Sequence, residues 1–268
     1  MATLQETFDC DHPVALITGS GAPRVGRTIA EQLAVCGCHI ALHANTSTKQ
    51  ATETSERFQR EFGSKTLVTQ GSLENESVPD HLVEQTVEAF GRIDILINSA
   101  AIWEPTPLSQ ITAAEIRRYF DINTLACFLL ARSAGQKMET QPYGGSIVNL
   151  GDWATVRPYL SHAAYFPSKG GVEVMTRSLA VELAQLNHRI RVNCVQPGPV
   201  LLAEGVSDAE ADRLAQSTLV RRVGTPKDVA HAVQFLCENS FVTGVCLPVD
   251  GGRTIFAPDG LQVGMNTG

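Results

Sequence analysis

The sequence predicts an α/β fold in which a seven-stranded, doubly wound parallel sheet carries helices on both faces. Three observations lead there. Short apolar runs alternate with helical patterns from Val14 to Val249, no linker or repeat interrupts them, and the first apolar run ends in a glycine-containing loop that opens a helix.

A chain of 268 residues, 43% hydrophobic and 18% charged, is long enough for a large core and within the range of one α/β domain. The expected organisation is an extension over 1–12 that looks loose, one domain over 13–253 and a tail over 254–268. A net charge of −7 argues against a nucleic-acid partner, which needs clustered Lys and Arg. No uninterrupted apolar run approaches a membrane-spanning length, and the acidic, polar start lacks the features of a signal peptide. The expectation is a cytoplasmic protein with no membrane contact. Seven cysteines lie in apolar segments, without zinc-site spacing among Cys and His, and read as reduced thiols with no metal.

In chain order, the strands are expected at 14–19, 39–43, 67–69, 93–98, 146–150, 189–195 and 245–249. Between them, helical patterns cover 27–36, the stretch from Asn45–Lys49 to Phe62, 79–90, a long and bent 112–138, a helix through Tyr165 to Leu186, and 225–237. Residues 197–220 read as a looser segment.

In such a sheet, ligands sit outside the carboxyl ends of the strands. The loop after the first strand, with Gly19, Arg24, Val25 and Gly26, can bring backbone N–H groups to a pyrophosphate at a helix start. At the end of the second strand, an acid would bond the ribose of NAD and repel the 2′-phosphate of NADP. The chain has His43, Ala44, Asn45, Thr46 and Ser47 there, and no acid before Glu53, which favours NADP(H) with Arg24 nearby. Ser72 and Leu73, then Asn98, Ser99 and Ala100, and then Pro197 and Gly198 supply further cofactor walls at later strand ends.

Tyr165 and Lys169 are four apart, so both side chains share one helix face. A phenol has an unperturbed pKa of about 10, and a nearby ammonium favours its ionised form, which makes this pair a candidate proton donor. Asp152 lies thirteen residues before the tyrosine and reads either as a functional carboxylate or as a cap after the strand. Trp103 reads equally as a platform for a flat ligand or as a core or interface aromatic. Asn123, inside a helical pattern, reads from the residues alone as a solvated position.

Taken together, Thr18-Gly19, Asn98-Ser99-Ala100, Asn123, Tyr165-x-x-x-Lys169, Pro197-Gly198 and Asp250-Gly251-Gly252 resemble the short-chain dehydrogenase/reductases over residues 14–252. The resemblance implies a Rossmann sheet, a nicotinamide cofactor, and Tyr165 as proton donor. It further implies that Lys169 lowers the pKa of that tyrosine and bonds the nicotinamide ribose, with Asn123 holding a water that links Lys169 to solvent. It also implies a homo-oligomer, a tetramer ahead of a dimer. Most members place a serine where this chain has Asp152. That aspartate, the Arg24-Val25-Gly26-Arg27 loop, Leu42-His43 and the run from Asn98 to Leu108 resemble the pteridine reductases. This implies a substrate site of Arg24, Trp103, Asp152 and Tyr165, with a pterin ring stacked on Trp103.

The leading expectation is an NADPH-dependent reductase of a pterin-like heterocycle. Its rivals are a carbonyl reductase, for instance of 3-oxoacyl thioesters, and a cofactor-binding regulator without catalysis.

Overall fold

The computed structural model describes residues 2–202 and 205–256. Seven strands, β1 (Val14–Ile17), β2 (His39–Ala44), β3 (Thr66–Gln70), β4 (Ile95–Asn98), β5 (Gly145–Leu150), β6 (Ile190–Pro197) and β7 (Cys246–Val249), form one sheet. The strand order is β3-β2-β1-β4-β5-β6-β7 and every pairing is parallel. The chain winds outward from β1 to β3, returns to β4 beside β1, and then winds the other way. This reversal opens a crevice at the carboxyl ends of β1 and β4.

Successive strand residues face opposite sides, and the central strands are buried on both, so β1 and Ile95–Ile97 of β4 are apolar throughout rather than alternating. Ala15, Ile17, Ile95 and Ile97 meet α2 (Val25–Val35), α3 (Thr48–Phe62) and α9 (Pro226–Glu238) through Ile29, Leu33, Phe58, Val233 and Leu236. Leu16, Leu96, Ile147 and Val192 meet α4 (Val78–Phe90), α6 (Ala126–Glu139) and α7 (Tyr165–Leu186) through Leu82, Leu130, Val172 and Leu179.

Three expectations change. The first twelve residues are not loose. Thr3 and Glu6 form a reciprocal capping box that starts α1 (Leu4–Phe8), and both ends of this helix sink Leu4 and Phe8 into the first core layer. Arg92 ties the helix to the sheet: Nη2 donates to the Phe8 carbonyl at 3.1 Å and to Asp94 at 2.7 Å, while Asp94 accepts the Val14 N–H at 2.8 Å. Second, the long helix is three pieces: α5 (Ala113–Phe120), a π-helical turn over Asp121–Leu125, and α6. Third, the looser segment contains α8 (Asp208–Gln216), capped by Ser207 and Glu210 and burying no residue. Of the tail, residues 257–268 lie outside the described residues. Among the described residues, no helix is long and apolar enough to cross a membrane.

Because Phe8 is 1% exposed and sits in the core layer, Phe8→Ala should cost about 3–5 kcal/mol. A urea unfolding midpoint equal to wild type would show that α1 is not docked.

Candidate active site

At the sheet's reversal point lies a cleft of about 570 Å³, walled by the residues that follow β1, β2, β3, β4, β5 and β6. Its floor is set by close backbone approach. Gly19 has φ +65°, and a Cβ there would sit 2.8 Å from Ala100 Cα. Thr18 Oγ1 accepts the N–H groups of Ser99 and Ala100 at 3.0 and 3.1 Å, which locks the end of β1 to the end of β4. At Gly26 a Cβ would meet the Gly19 carbonyl and Ser99 Oγ, each at 2.8 Å. The helix α2 starts at Val25 behind an extended Arg24 that provides no side-chain cap. Its first N–H groups thus remain available beside a floor with no room for side chains, an arrangement that fits a pyrophosphate.

Arg24, Asn45 and Thr46 are exposed on the adjoining wall with Ser47, while Ser72 and Leu73 enter from the end of β3. Asp152 and Glu74 are the acids of the described lining, and Glu74 is engaged by Arg118 at 2.6 Å. His43 touches the cleft, but both ring nitrogens are used by the fold. Nδ1 accepts the Gly19 N–H at 3.2 Å and Nε2 donates to the Gly71 carbonyl at 2.9 Å. It shapes the loop rather than offering a polar group to a ligand. Asn98 also turns away: Nδ2 donates to Asn149 Oδ1 at 2.8 Å and to the Cys127 carbonyl at 3.2 Å, and the cleft lining after β4 begins at Ser99.

At the other end, Asp152 and Tyr165 face each other. The phenol donates to Asp152 Oδ2 at 2.7 Å, and Asp152 Oδ1 accepts the Ala154 N–H at 2.8 Å. The carboxylate therefore both caps the short 3₁₀ turn after β5, as one reading expected, and lines the cleft. Burial, then the Asp152 charge and the hydrogen bond to it, push the Tyr165 pKa far above its usual value. Lys169 is buried and its Nζ donates to the Leu150 carbonyl at 2.7 Å. The phenol is bonded to the carboxylate, and the lysine to the backbone.

Asn123 is fully buried, contrary to a solvated position. It sits on the π-helical turn, where Oδ1 accepts the Ile102 N–H at 2.9 Å and Nδ2 donates to Ile102 O and Ser168 Oγ, both at 3.1 Å. Its carboxamide stitches the segment after β4 to the start of α7. Neither Asn123 nor Lys169 lines the cleft directly.

Trp103 is 51% exposed, which excludes a core role. It lines the cleft, stacks on His162 at 4.8 Å and donates through Nε1 to the Tyr159 hydroxyl at 3.2 Å. Sequence reasoning missed this aromatic cluster. It also missed Tyr119, whose ring meets Tyr165 edge-on at 6.0 Å and whose hydroxyl donates to the Glu104 carbonyl. Ile122, Arg118 and Leu201 are further wall residues that no motif marked.

Comparison with known proteins gives concordant matches. The family model described as enoyl-(acyl carrier protein) reductase matches residues 22–254. A short-chain dehydrogenase/reductase, FrzI of Cladobotryum sp, is 33% identical over 89% of this chain and 94% of its own length. Pteridine reductase 1 of Leishmania tarentolae is 30% identical over 91% of this chain and 96% of its own length. The BbsD subunit of a (2S)-[(R)-hydroxy(phenyl)methyl]succinyl-CoA dehydrogenase from Thauera aromatica is 34% identical over 91% of this chain and 97% of its own length. A solved structure described as a short-chain alcohol dehydrogenase from Sinorhizobium meliloti 1021 superimposes with a TM-score of 0.83 at 29% identity, covering 92% of this chain and 98% of that one.

His43 yields a pH prediction. Burial depresses its pKa from the ordinary 6.5, because the native ring is neutral with one donor and one acceptor nitrogen in use. Its contribution to stability is therefore complete above pH about 6.5 and is lost as the pH falls below that. The melting temperature should fall between pH 7 and 5 (approximate bounds around that reference value), with a smaller fall in His43→Gln. Equal slopes in the two proteins would show that the ring is not held neutral.

Proposed function

The chain belongs to the short-chain dehydrogenase/reductase family of nicotinamide-dependent oxidoreductases, and from that premise we propose that it is an NADPH-dependent reductase of a pterin-like flat heterocycle. The observation that carries this reading is the Asp152 carboxylate bonded to the Tyr165 hydroxyl at 2.7 Å, in a cleft shared with Trp103.

Val25 and Gly26 offer backbone N–H groups to the cofactor pyrophosphate, and Gly19, whose own N–H is held by His43, keeps the floor beneath it free of side chains. Arg24, Asn45, Thr46 and Ser47 receive the 2′-phosphate, on a wall without a carboxylate to repel it. Ser72 and Leu73 border the adenine. The backbone of Asn98–Ala100 passes under the nicotinamide ribose, which Lys169 bonds, and Pro197 and Gly198 wall the nicotinamide. When bound, the cofactor supplies hydride.

The protein's own residues set what can be reduced. An anionic carboxylate beside the reacting atoms opposes an alkoxide developing from a simple ketone. It favours a substrate that presents N–H groups. Such a ligand accepts the role Tyr165 plays toward Asp152, compensates the negative charge and releases the phenol O–H. Removing that charge and hydrogen bond lowers the barrier to deprotonating the tyrosine, so substrate docking itself prepares Tyr165 to donate its proton to a ring nitrogen. Lys169 then stabilises the phenolate that results. Trp103, with one face on His162, offers its other surface to the ring, and Arg24 faces a ring carbonyl or the cofactor phosphates. Asn123 positions Lys169 and Tyr165 by fixing the start of α7 and, on this reading, holds the water that links Lys169 to solvent.

The domain of residues 13–253 is expected to act as a homo-oligomer, tetramer ahead of dimer, in the cytoplasm. Exposed apolar side chains on α5, α6 and α7 (Ile116, Phe120, Phe128, Val174 and Val181) support association through these helices. The second reading, a reductase of 3-oxoacyl thioesters, is favoured by the likeness to a protein named for a CoA-thioester substrate.

Dihydrobiopterin or dihydrofolate should support NADPH oxidation, with kcat lowered about 10²–10⁴-fold in Tyr165→Phe. Asp152→Ser separates the two readings: pterin reduction should collapse, whereas a ketone reductase would keep or gain activity. Turnover of a 3-oxoacyl thioester with neither pterin reduced would remove the pterin reading.

A further inference from the structure

The cleft does not end at Leu201. That residue also walls a shallower hollow formed by Leu202, Arg213, Leu214 and Ser217, and Ser217 and Arg253 belong in turn to a third hollow with Trp153, Arg157 and Tyr159. Tyr159 closes the circuit, since its hydroxyl accepts from Trp103 in the main cleft. Shared wall residues thus link the Asp152–Tyr165 end, past Leu201 and the α8 segment, to a group of arginines.

This arginine group is built, not incidental. Arg253 lies 4.4 Å over the ring of buried Trp153, the residue next to Asp152. Arg157 donates to the Arg253 carbonyl at 2.7 Å and to the Phe256 carbonyl, which fixes its guanidinium against the backbone that carries Arg253. Arg221 sits over Phe256 at 5.3 Å, and Arg213 projects from α8. Two carboxylates are near, and both are committed. Glu210 accepts from Ser207 at the start of α8, and Asp250 accepts the N–H groups of Gly252 and Thr254. Among the described residues, Arg157, Arg213 and Arg253 have no carboxylate within ion-pair distance. Burial, followed by the Arg157 charge, pulls the Arg253 pKa below its usual value, against smaller opposing effects of Tyr159 and Asp250.

The geometry points to an anion subsite in which Arg157 and Arg253, with Arg213 at the rim, receive a carboxylate or phosphate carried by the substrate away from its reacting end. The fork of a guanidinium suits either group through paired N–H bonds. The proposal rests on the reading of Asp152 and Tyr165 as the reacting end, but not on the substrate being a pterin.

Two matched pairs test it with wild type, Arg157→Gln and Arg253→Gln. Dihydrofolate carries carboxylates that dihydrobiopterin lacks, and acetoacetyl-CoA carries phosphates that the acetoacetyl N-acetylcysteamine thioester lacks. In whichever pair is turned over, wild type should prefer the anionic member. Each substitution should reduce the ratio of kcat/KM values by roughly tenfold or more, through KM and not kcat. Calorimetric binding of the same four compounds to the NADPH-bound protein supplies the comparison where turnover is absent. Turnover of the thioesters alone would end the pterin reading while leaving the subsite to be judged on that pair. Ratios unchanged in both variants, or preference for the uncharged members, would overturn the subsite.

Discussion

The approach of Gly19 to Ala100, clamped by Thr18, is the constraint on which the rest of the site depends. Thr18 Oγ1 receives two backbone N–H groups from the neighbouring strand's exit, and the distance this enforces leaves no space for a Cβ on Gly19 or, one helical start later, on Gly26. The crevice floor is therefore backbone. Helix α2 must begin with its N–H groups facing that floor, and a ligand can approach peptide planes directly. His43 reinforces the same turn from the β2 side, which explains why a side chain at the cleft wall is spent on holding the loop.

Much of the fold was legible because buried parallel strands announce themselves. Leu16, Leu96 and Ile147 face one layer while Ile17, Ile95 and Ile97 face the other, so the strands read as unbroken apolar runs between helical patterns. What escaped had weak periodicity. The five-residue helix α1 is too short to display a face, and α8 buries no residue, so neither offers an apolar stripe. Both nevertheless carry a capping box, Thr3 with Glu6 and Ser207 with Glu210, which was the available signal. The break at Asp121–Leu125 follows from tertiary demand. Asn123 is drawn inward to bond Ile102 and Ser168, which local propensity does not encode.

The site was legible where function fixes residue type at a strand end, and illegible where packing decides orientation. Gly19, Gly26, Asp152 and Tyr165 converge on one cleft as their spacing implied. Asn98 sits at the right strand end yet points its carboxamide to Asn149, because a buried amide takes the nearest partner. Tyr159, His162 and Tyr119 could not be read from spacing at all. They come from two different segments, and only the folded chain brings their rings around Tyr165 and Trp103.

The pairing of Asp152 with Tyr165 also settles how charge is distributed along the cleft. A buried phenol beside a carboxylate stays protonated, so of the bonded pair only Asp152 carries charge, and it is exposed to any ligand that displaces the phenol. Tyr159 stands between this negative end and Arg253: the Asp152 charge raises its pKa and the Arg253 charge lowers it, both weaker than the effect of burial. A ligand lying along the groove thus experiences a field that runs from negative to positive over the length of the aromatic cluster. Such a field orients a substrate whose hydrogen-bond donors and acidic group lie at opposite ends, and it disfavours the reversed pose at both ends at once. The aromatic rings supply affinity without direction. Direction would come from the charged residues at the two ends, and on the proposed reading the carboxylate that opposes simple carbonyl reduction would also select which end of a substrate meets the tyrosine.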